Sequence, residues 1–179
     1  MNSKSLYIAF FAASLLLCGA CSNNKHRHIS ALSEEQLREK SIEVNKDWVK
    51  RLQDTIALFA QKNEWNMQAS GSGLWYAISR SGNADTIRDG DLVQLAYTVS
   101  LLNGTLLYTS DSLGLKNIKV GQGGVESGVE EALRMLTQGD SARLLIPPHL
   151  AHGLLGDQQK IPSLAILNYT LVVTRHYRP

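Results

Sequence analysis

Few groups in this 179-residue chain could act on a substrate, and their spacing excludes most bond-making chemistry. His149 and His152 stand at i, i+3 with no carboxylate or cysteine nearby at ligand spacing, so they read as polar loop surface and not as a metal site. Gly121-Gln122-Gly123 begins like a dinucleotide loop, but the third glycine position holds Glu126, whose charge would repel a pyrophosphate. Glu130 and Glu131 are adjacent and point apart on a helix, which reads as a solvated face and not as an acid–base couple. There is no Gly-x-Ser-x-Gly elbow and no Walker loop. No cofactor is expected. Formal charge is +2, with acidic and basic residues interspersed, which gives no reason to expect nucleic acid. What remains is the stretch 120–156, VGQGGVESGVEEALRMLTQGDSARLLIPPHLAHGLLG, which carries a distinctive order of elements and no obvious reactive group.

Those elements follow from local patterns. Glu126 to Leu136 places Val129, Leu133 and Leu136 at i, i+4, i+7, and Gly139 sits where a left-handed helix exit is wanted. The Gly139-Asp140 turn leads into a strand over Ser141 to Ile146, and a loop with Pro148, Ala151, Gly153 and Gly156 follows. Upstream, Val93, Leu95, Tyr97, Val99 and Leu101 alternate with Gln94, Thr98 and Ser100, the period of a strand with one buried face. Asn103-Gly104 then signals a two-residue hairpin turn. Val172 and Val173 end the last strand before a polar tail. Many short strands around one short helix imply an α+β domain with a mainly antiparallel sheet.

The stretch 120–156 resembles the centre of an FKBP-type peptidyl-prolyl isomerase domain. The likeness extends through SGLWYAISRSGNADTIRDGDLVQLAYTVSLLNGTLLYTS upstream and Ile161-Pro162 and AILNYTLVV downstream. It covers a domain over 72–177 and implies an FKBP-like antiparallel sheet wrapped around one short helix. It also implies prolyl isomerisation and folding assistance for proline-containing unfolded or envelope proteins. That reaction breaks no bond: its barrier, roughly 18–20 kcal/mol, is amide resonance lost as the C–N bond twists. A protein lowers it by desolvating the amide and binding the twisted form best.

Carried over residue by residue, the family's pocket is depleted here. Tyr97 keeps the first tyrosine, Leu107 and Tyr108 replace a phenylalanine–aspartate pair, and Val125 keeps the rim valine. Glu126 supplies the N–H that meets the substrate carbonyl, and Val129 replaces the tryptophan floor. His152 replaces the mouth tyrosine with a ring N–H to offer, Ile161 remains before a shortened loop, and Leu167 replaces the last-strand phenylalanine. Leu107, Val129 and Leu167 are then either ordinary core or the walls of a widened apolar groove. The chain is expected to be a weakened isomerase, the alternative being a non-catalytic binding module in an envelope or gliding-motility assembly.

The N-terminal part suggests an address. Residues 1–20 combine a single lysine with an apolar run too short to span a bilayer comfortably, which reads as a secretory signal. Gly19-Ala20-Cys21 resembles a bacterial lipoprotein box, although Cys18 occupies the position that usually holds an aliphatic residue. Lipid attachment at Cys21 implies a membrane anchor with the body facing the periplasm, on the outer membrane because Ser22 and Asn23 are not acidic. Both cysteines fall at this junction, so the body has no disulfide. Residues 21–32 read as a tether and 33–65 as a helical segment, opened by a Ser33–Gln36 capping box. Its stripe of Leu37, Val44, Trp48, Leu52, Ile56 and Phe59 must pack on something: the domain, a second copy in a homodimer, or a client. Gln68 to Gly73 reads as a flexible joint. These weakened features together resemble the gliding-motility-associated isomerase-like lipoproteins of Bacteroidetes.

Overall fold

A computed structural model describes residues 33–81 and 85–179. The signal, Cys21 and the tether lie outside the described residues. Helix α1 spans Glu34–Lys62. At its start the Ser33 N–H donates to Gln36 Oε1 at 3.0 Å and the Gln36 N–H donates to Ser33 Oγ at 3.2 Å, the reciprocal capping box that the sequence indicates.

Residues 43–179 form one compact unit. It contains strands β1 (Gln68–Ala69), β2 (Trp75–Ser79), β3 (Leu92–Leu101), β4 (Leu106–Thr109), β5 (Lys116–Lys119), β6 (Ser141–Ile146) and β7 (Leu167–Tyr177). Helices α2 (Ser110–Leu113) and α3 (Ser127–Leu133) lie between them. All pairings are antiparallel, in the order β1-β2-β6-β7-β3-β4, and β5 also pairs with β3. The α+β reading is therefore correct.

One face of the sheet closes over α3. Val129, Ala132, Leu133 and Leu136 are fully buried there with Leu95, Leu144, Ile146, Leu167 and Leu171. The helix approaches so closely that a Cβ on Gly128 would stand 2.6 Å from Ile146 Cγ2. Glycine is required there for contact rather than for φ. The other face meets the C-terminal half of α1, where Ile56, Ala60 and Leu145 are buried among Phe59, Trp65, Trp75 and Ile166. Trp75 Nε1 donates to Gln53 Oε1 at 2.6 Å, and the Arg143 guanidinium lies 3.9 Å over the Trp65 ring.

Several expectations need correction. The packed stripe of α1 centres on Ile56 and Ala60; Trp48 and Leu52 are half-buried, while Leu37 and Val44 are exposed. Gln68 to Gly73 is not a free joint, because β1 pairs with β2 and the Ser70 N–H donates to the Leu74 carbonyl at 2.8 Å. The hairpin after β3 is a three-residue loop: the Gly104 N–H returns to the Leu101 carbonyl, and only Gly104 takes a positive φ, 87°. α3 ends at Leu133, and Gly139 instead serves the turn into β6, donating to the Val173 carbonyl. Glu130 is not solvated. It is buried and accepts the Gly121 N–H at 2.8 Å, tying α3 to the glycine-rich segment before it.

The polar tail after Val173 is also structured, because β7 continues to Tyr177. There His176 Nε2 lies 2.7 Å from Asp91 Oδ2, and Arg178 Nε donates to Asp91 Oδ1 at 3.3 Å. Burial pushes the Asp91 carboxyl up, but the Arg88 N–H, His176 and Arg178 outweigh it and hold the group at about 2 instead of 3.8. A carboxyl lowered in the fold contributes stability that is complete above its unfolded value and lost as pH falls through its folded one. The urea midpoint, followed by circular dichroism, should therefore fall between pH 4 and pH 2, and Asp91→Asn should remove part of that dependence.

Candidate functional site

A hollow lies against β3, a strand paired on both sides. β3 supplies Tyr97 and Val99, β4 supplies Tyr108, and β7 supplies Tyr169. Leu113 closes α2, Lys116 opens β5, Glu126 stands just before α3, and the loop after the Pro148–Leu150 turn supplies His152, Asp157, Gln159 and Ile161. Together they line a cavity of about 280 Å³. A second depression of about 370 Å³ adjoins it, lined by Gly124, Val125, Ser127 and Ala151 and sharing Lys116, Glu126 and His152 with the first.

The back of the cavity is aromatic. Tyr97 and Tyr169 stack with ring centroids 5.9 Å apart and planes at 27°. Tyr169 has almost no exposure, and burial followed by the nearby Glu126 carboxylate pushes its hydroxyl far above the usual tyrosine range. On one side the Tyr108 hydroxyl donates to Asp157 Oδ2. The other oxygen, Asp157 Oδ1, accepts the N–H groups of Gln159, Lys160 and Ile161 at 2.7–2.9 Å. Burial raises the Asp157 carboxyl, yet Tyr108 and these N–H groups lower it to about 2, so it is a fixed anion. The same bond pushes the Tyr108 hydroxyl up.

On the other side, His152 Nε2 lies 3.2 Å from Glu126 Oε1. A carboxylate can only accept, so the imidazole is the donor. This ring N–H, expected to face a substrate, is thus already engaged. His149 stands elsewhere, with its Nε2 2.9 Å from the Ser72 carbonyl.

Of the residues read from the sequence, Tyr97, Tyr108, Glu126, His152 and Ile161 converge on the cavity, and Val125 lines only the adjoining depression. Leu107, Val129 and Leu167 line neither; they are 5%, 0% and 0% exposed within the main core. The widened groove considered for them is therefore closed. Val129 and Tyr169 belong to the same buried core cluster.

The sequence reading missed Asp157 and Tyr169. Asp157 follows a glycine, as Asp91 and Asp140 do, and that repeated Gly-Asp signal could have flagged a turn-holding carboxylate. Tyr169 was hidden in the ordinary alternation of the last strand. Because Val129 is fully buried and lines neither hollow, Val129→Trp should overpack and cost about 1–3 kcal/mol in urea unfolding instead of rebuilding an aromatic floor.

Comparison with known proteins agrees with this geometry. Residues 83–174 match the family described as FKBP-type peptidyl-prolyl cis-trans isomerase. Human FKBP10, a peptidyl-prolyl cis-trans isomerase, is 36% identical over 91 residues, which are 50% of this chain and 16% of that protein. A probable FKBP-type isomerase of Haemophilus influenzae is 30% identical over 108 residues, 60% of this chain and 44% of that one. The chain thus spans less than half the length of these curated relatives. Among solved structures, FkpA from Escherichia coli shares the fold with TM-score 0.59 and 22% identity, covering 98% of this chain and 83% of that one. AtFKBP13 gives TM-score 0.58 and 25% identity, with 62% of this chain and 98% of that one covered. The sheet wrapped over α3, the cavity against β3 and the match over residues 83–174 place this chain in the FKBP-type peptidyl-prolyl cis-trans isomerase family.

Proposed function

We propose that the protein isomerises Xaa–Pro bonds in unfolded envelope proteins, at a rate on short peptides below that of a pocket walled by aromatics on every side. The observation that carries this reading is the cavity backed by the Tyr97–Tyr169 stack within a domain of the isomerase family. Such a back wall grips a proline ring and strips water from the amide beside it, which favours the twisted, less resonance-stabilised form. Among the described residues nothing accepts from the Glu126 N–H, which leaves it available to a substrate carbonyl. Leu113 is an exposed apolar side chain at the cavity itself, and Leu154 and Leu155 are exposed in the chain between His152 and Asp157. Exposed apolar side chains of this kind suit an unfolded chain better than a short peptide.

The weakness follows from what is spent inside the protein. The Tyr108 hydroxyl hydrogen is given to Asp157 and the His152 N–H to Glu126, so neither is free to stabilise the twisted amide. That observation also favours a second reading, a module that binds prolyl segments without turnover. Full-length protein should accelerate proline-limited refolding of a denatured client and act more weakly on tetrapeptides. Acceleration of neither, with binding retained, would establish the module instead.

The envelope address is part of the same proposal and rests on Gly19-Ala20-Cys21 after an apolar run. Acylation at Cys21 would hold the domain at a membrane surface, facing the periplasm. Cys21→Ser should move the protein from the membrane fraction to the soluble fraction, and mass spectrometry of the native mature N-terminus should show a diacyl- or triacyl-cysteine. An unmodified start at another residue overturns this part.

A further inference from the structure

Two walls of the cavity are joined by side chains and not by strand pairing. β4 pairs only with β3, and its Tyr108 lines the cavity beside Asp157, Gln159 and Ile161 of the loop before β7. Among the described residues two hydrogen bonds cross from that loop to β4, and a side chain makes each of them. The Tyr108 hydroxyl donates to Asp157 Oδ2, and Lys160 Nζ donates to the Leu107 carbonyl at 3.1 Å. The same ammonium lies 5.2 Å over the Tyr108 ring. Tyr108, Asp157 and Lys160 therefore form one clasp.

Both halves of the clasp are held by their own elements. Tyr108 is fixed by its pairing opposite Val99. Asp157 sits in a tight turn, where Gln158 takes a φ of 59° and Oδ1 accepts the Gln159, Lys160 and Ile161 N–H groups at 2.7–2.9 Å. A substrate side chain growing towards this wall meets no free rotamer. To make room it must break a hydrogen bond to a charged group. The adjoining depression is different, because Gly124, Ser127 and Ala151 in its lining are small and leave space for a large side chain.

We infer that the clasp of Tyr108, Asp157 and Lys160 sets a size limit on the substrate, so that one neighbour of the proline must be small while the other can be large. Asp157 is a positioning residue in this arrangement, since it acts by holding Tyr108 and its own turn in the cavity wall. The inference rests on the proposed isomerase reading and adds a substrate class to it. A clasp that merely braced the edge of β4 would change stability and leave substrate choice untouched.

The test uses full-length protein and fluorescent tetrapeptides that place Ala, Leu or Phe immediately before the proline, with a second set that places them immediately after. Affinity is read by anisotropy, and kcat/KM by a protease-free isomerisation assay. In one set the phenylalanine peptide should fall about ten-fold below the alanine peptide in both readouts, the worth of one hydrogen bond to a charged group. In the other set the peptides should be close to equal. Tyr108→Phe combined with Lys160→Met removes both crossing bonds and leaves the hold of Asp157 on its own turn. In the restricted set this variant should bring the phenylalanine-to-alanine ratio close to one, with circular dichroism confirming the fold. Should the double variant not fold, Tyr108→Phe alone should relax the ratio part of the way. Two sets without size discrimination, or discrimination that survives unchanged in a folded variant, overturn the inference. Size discrimination in affinity without turnover of any peptide would overturn the isomerase reading alone and leave the clasp's role standing.

Discussion

Pairing between β3 and β7 is the constraint on which the other elements depend. Its register runs from Leu92 opposite Tyr177 to Leu101 opposite Leu167, with one irregularity between Gln94 and Leu95. These two strands lie far apart in the chain, so their pairing must overcome a large loop-closure cost before it is rewarded. Once formed, it puts Leu95, Val99, Leu171 and Val173 on the core face and leaves β4, β5 and β6 with an edge to join. It also sets Val99 opposite Tyr169 and Tyr97 opposite Leu171, which brings the two tyrosine rings into their stack. The back of the cavity is thus a direct product of strand register. A slip of β7 by one residue would turn the Tyr169 ring away from it and break the stack.

Three aspartates fix the loops that this pairing leaves. Asp91 accepts the Arg88 N–H, Asp140 the Ser81 and Thr137 N–H groups, and Asp157 those of Gln159, Lys160 and Ile161. In each case a carboxylate, buried in Asp91 and Asp140 and half-buried in Asp157, satisfies backbone donors that irregular chain would otherwise leave open. The first two are structural. The third has been drawn into the cavity, where holding Tyr108 is added to holding the loop.

The fold was largely legible, and the reasons are local. Alternation across Val93–Leu101 has one cause, burial of one face, and the Ser33–Gln36 box has another, the open N–H groups of a helix start. The site was legible only in part. Tyr97, Tyr108, Glu126, His152 and Ile161 come together because they flank elements that the pattern identifies. The burial of Leu107, Val129 and Leu167 was not readable, because an apolar residue looks the same in a core as in a groove wall. Nor was the second role of Asp157, which depends on where a loop closes in space and not on its neighbours in sequence. The same holds for the Glu130 carboxylate, whose partner is the backbone of Gly121, nine positions away.

β6 is apolar on both sides: Leu144 and Ile146 face the main core, while Leu145 faces Ile56 of the helix that precedes the sheet. The C-terminal half of the helix therefore behaves as a lid on a sheet whose outer face is oily. A fragment trimmed to the family-matched region 83–174 would lose β2 as well as the helix. β6 would then become an unpaired edge with Leu145 and Ile166 uncovered beside it. An open edge next to an apolar face is the usual template for strand-to-strand aggregation. In this chain the family match begins at residue 83, well inside the compact unit that begins at residue 43.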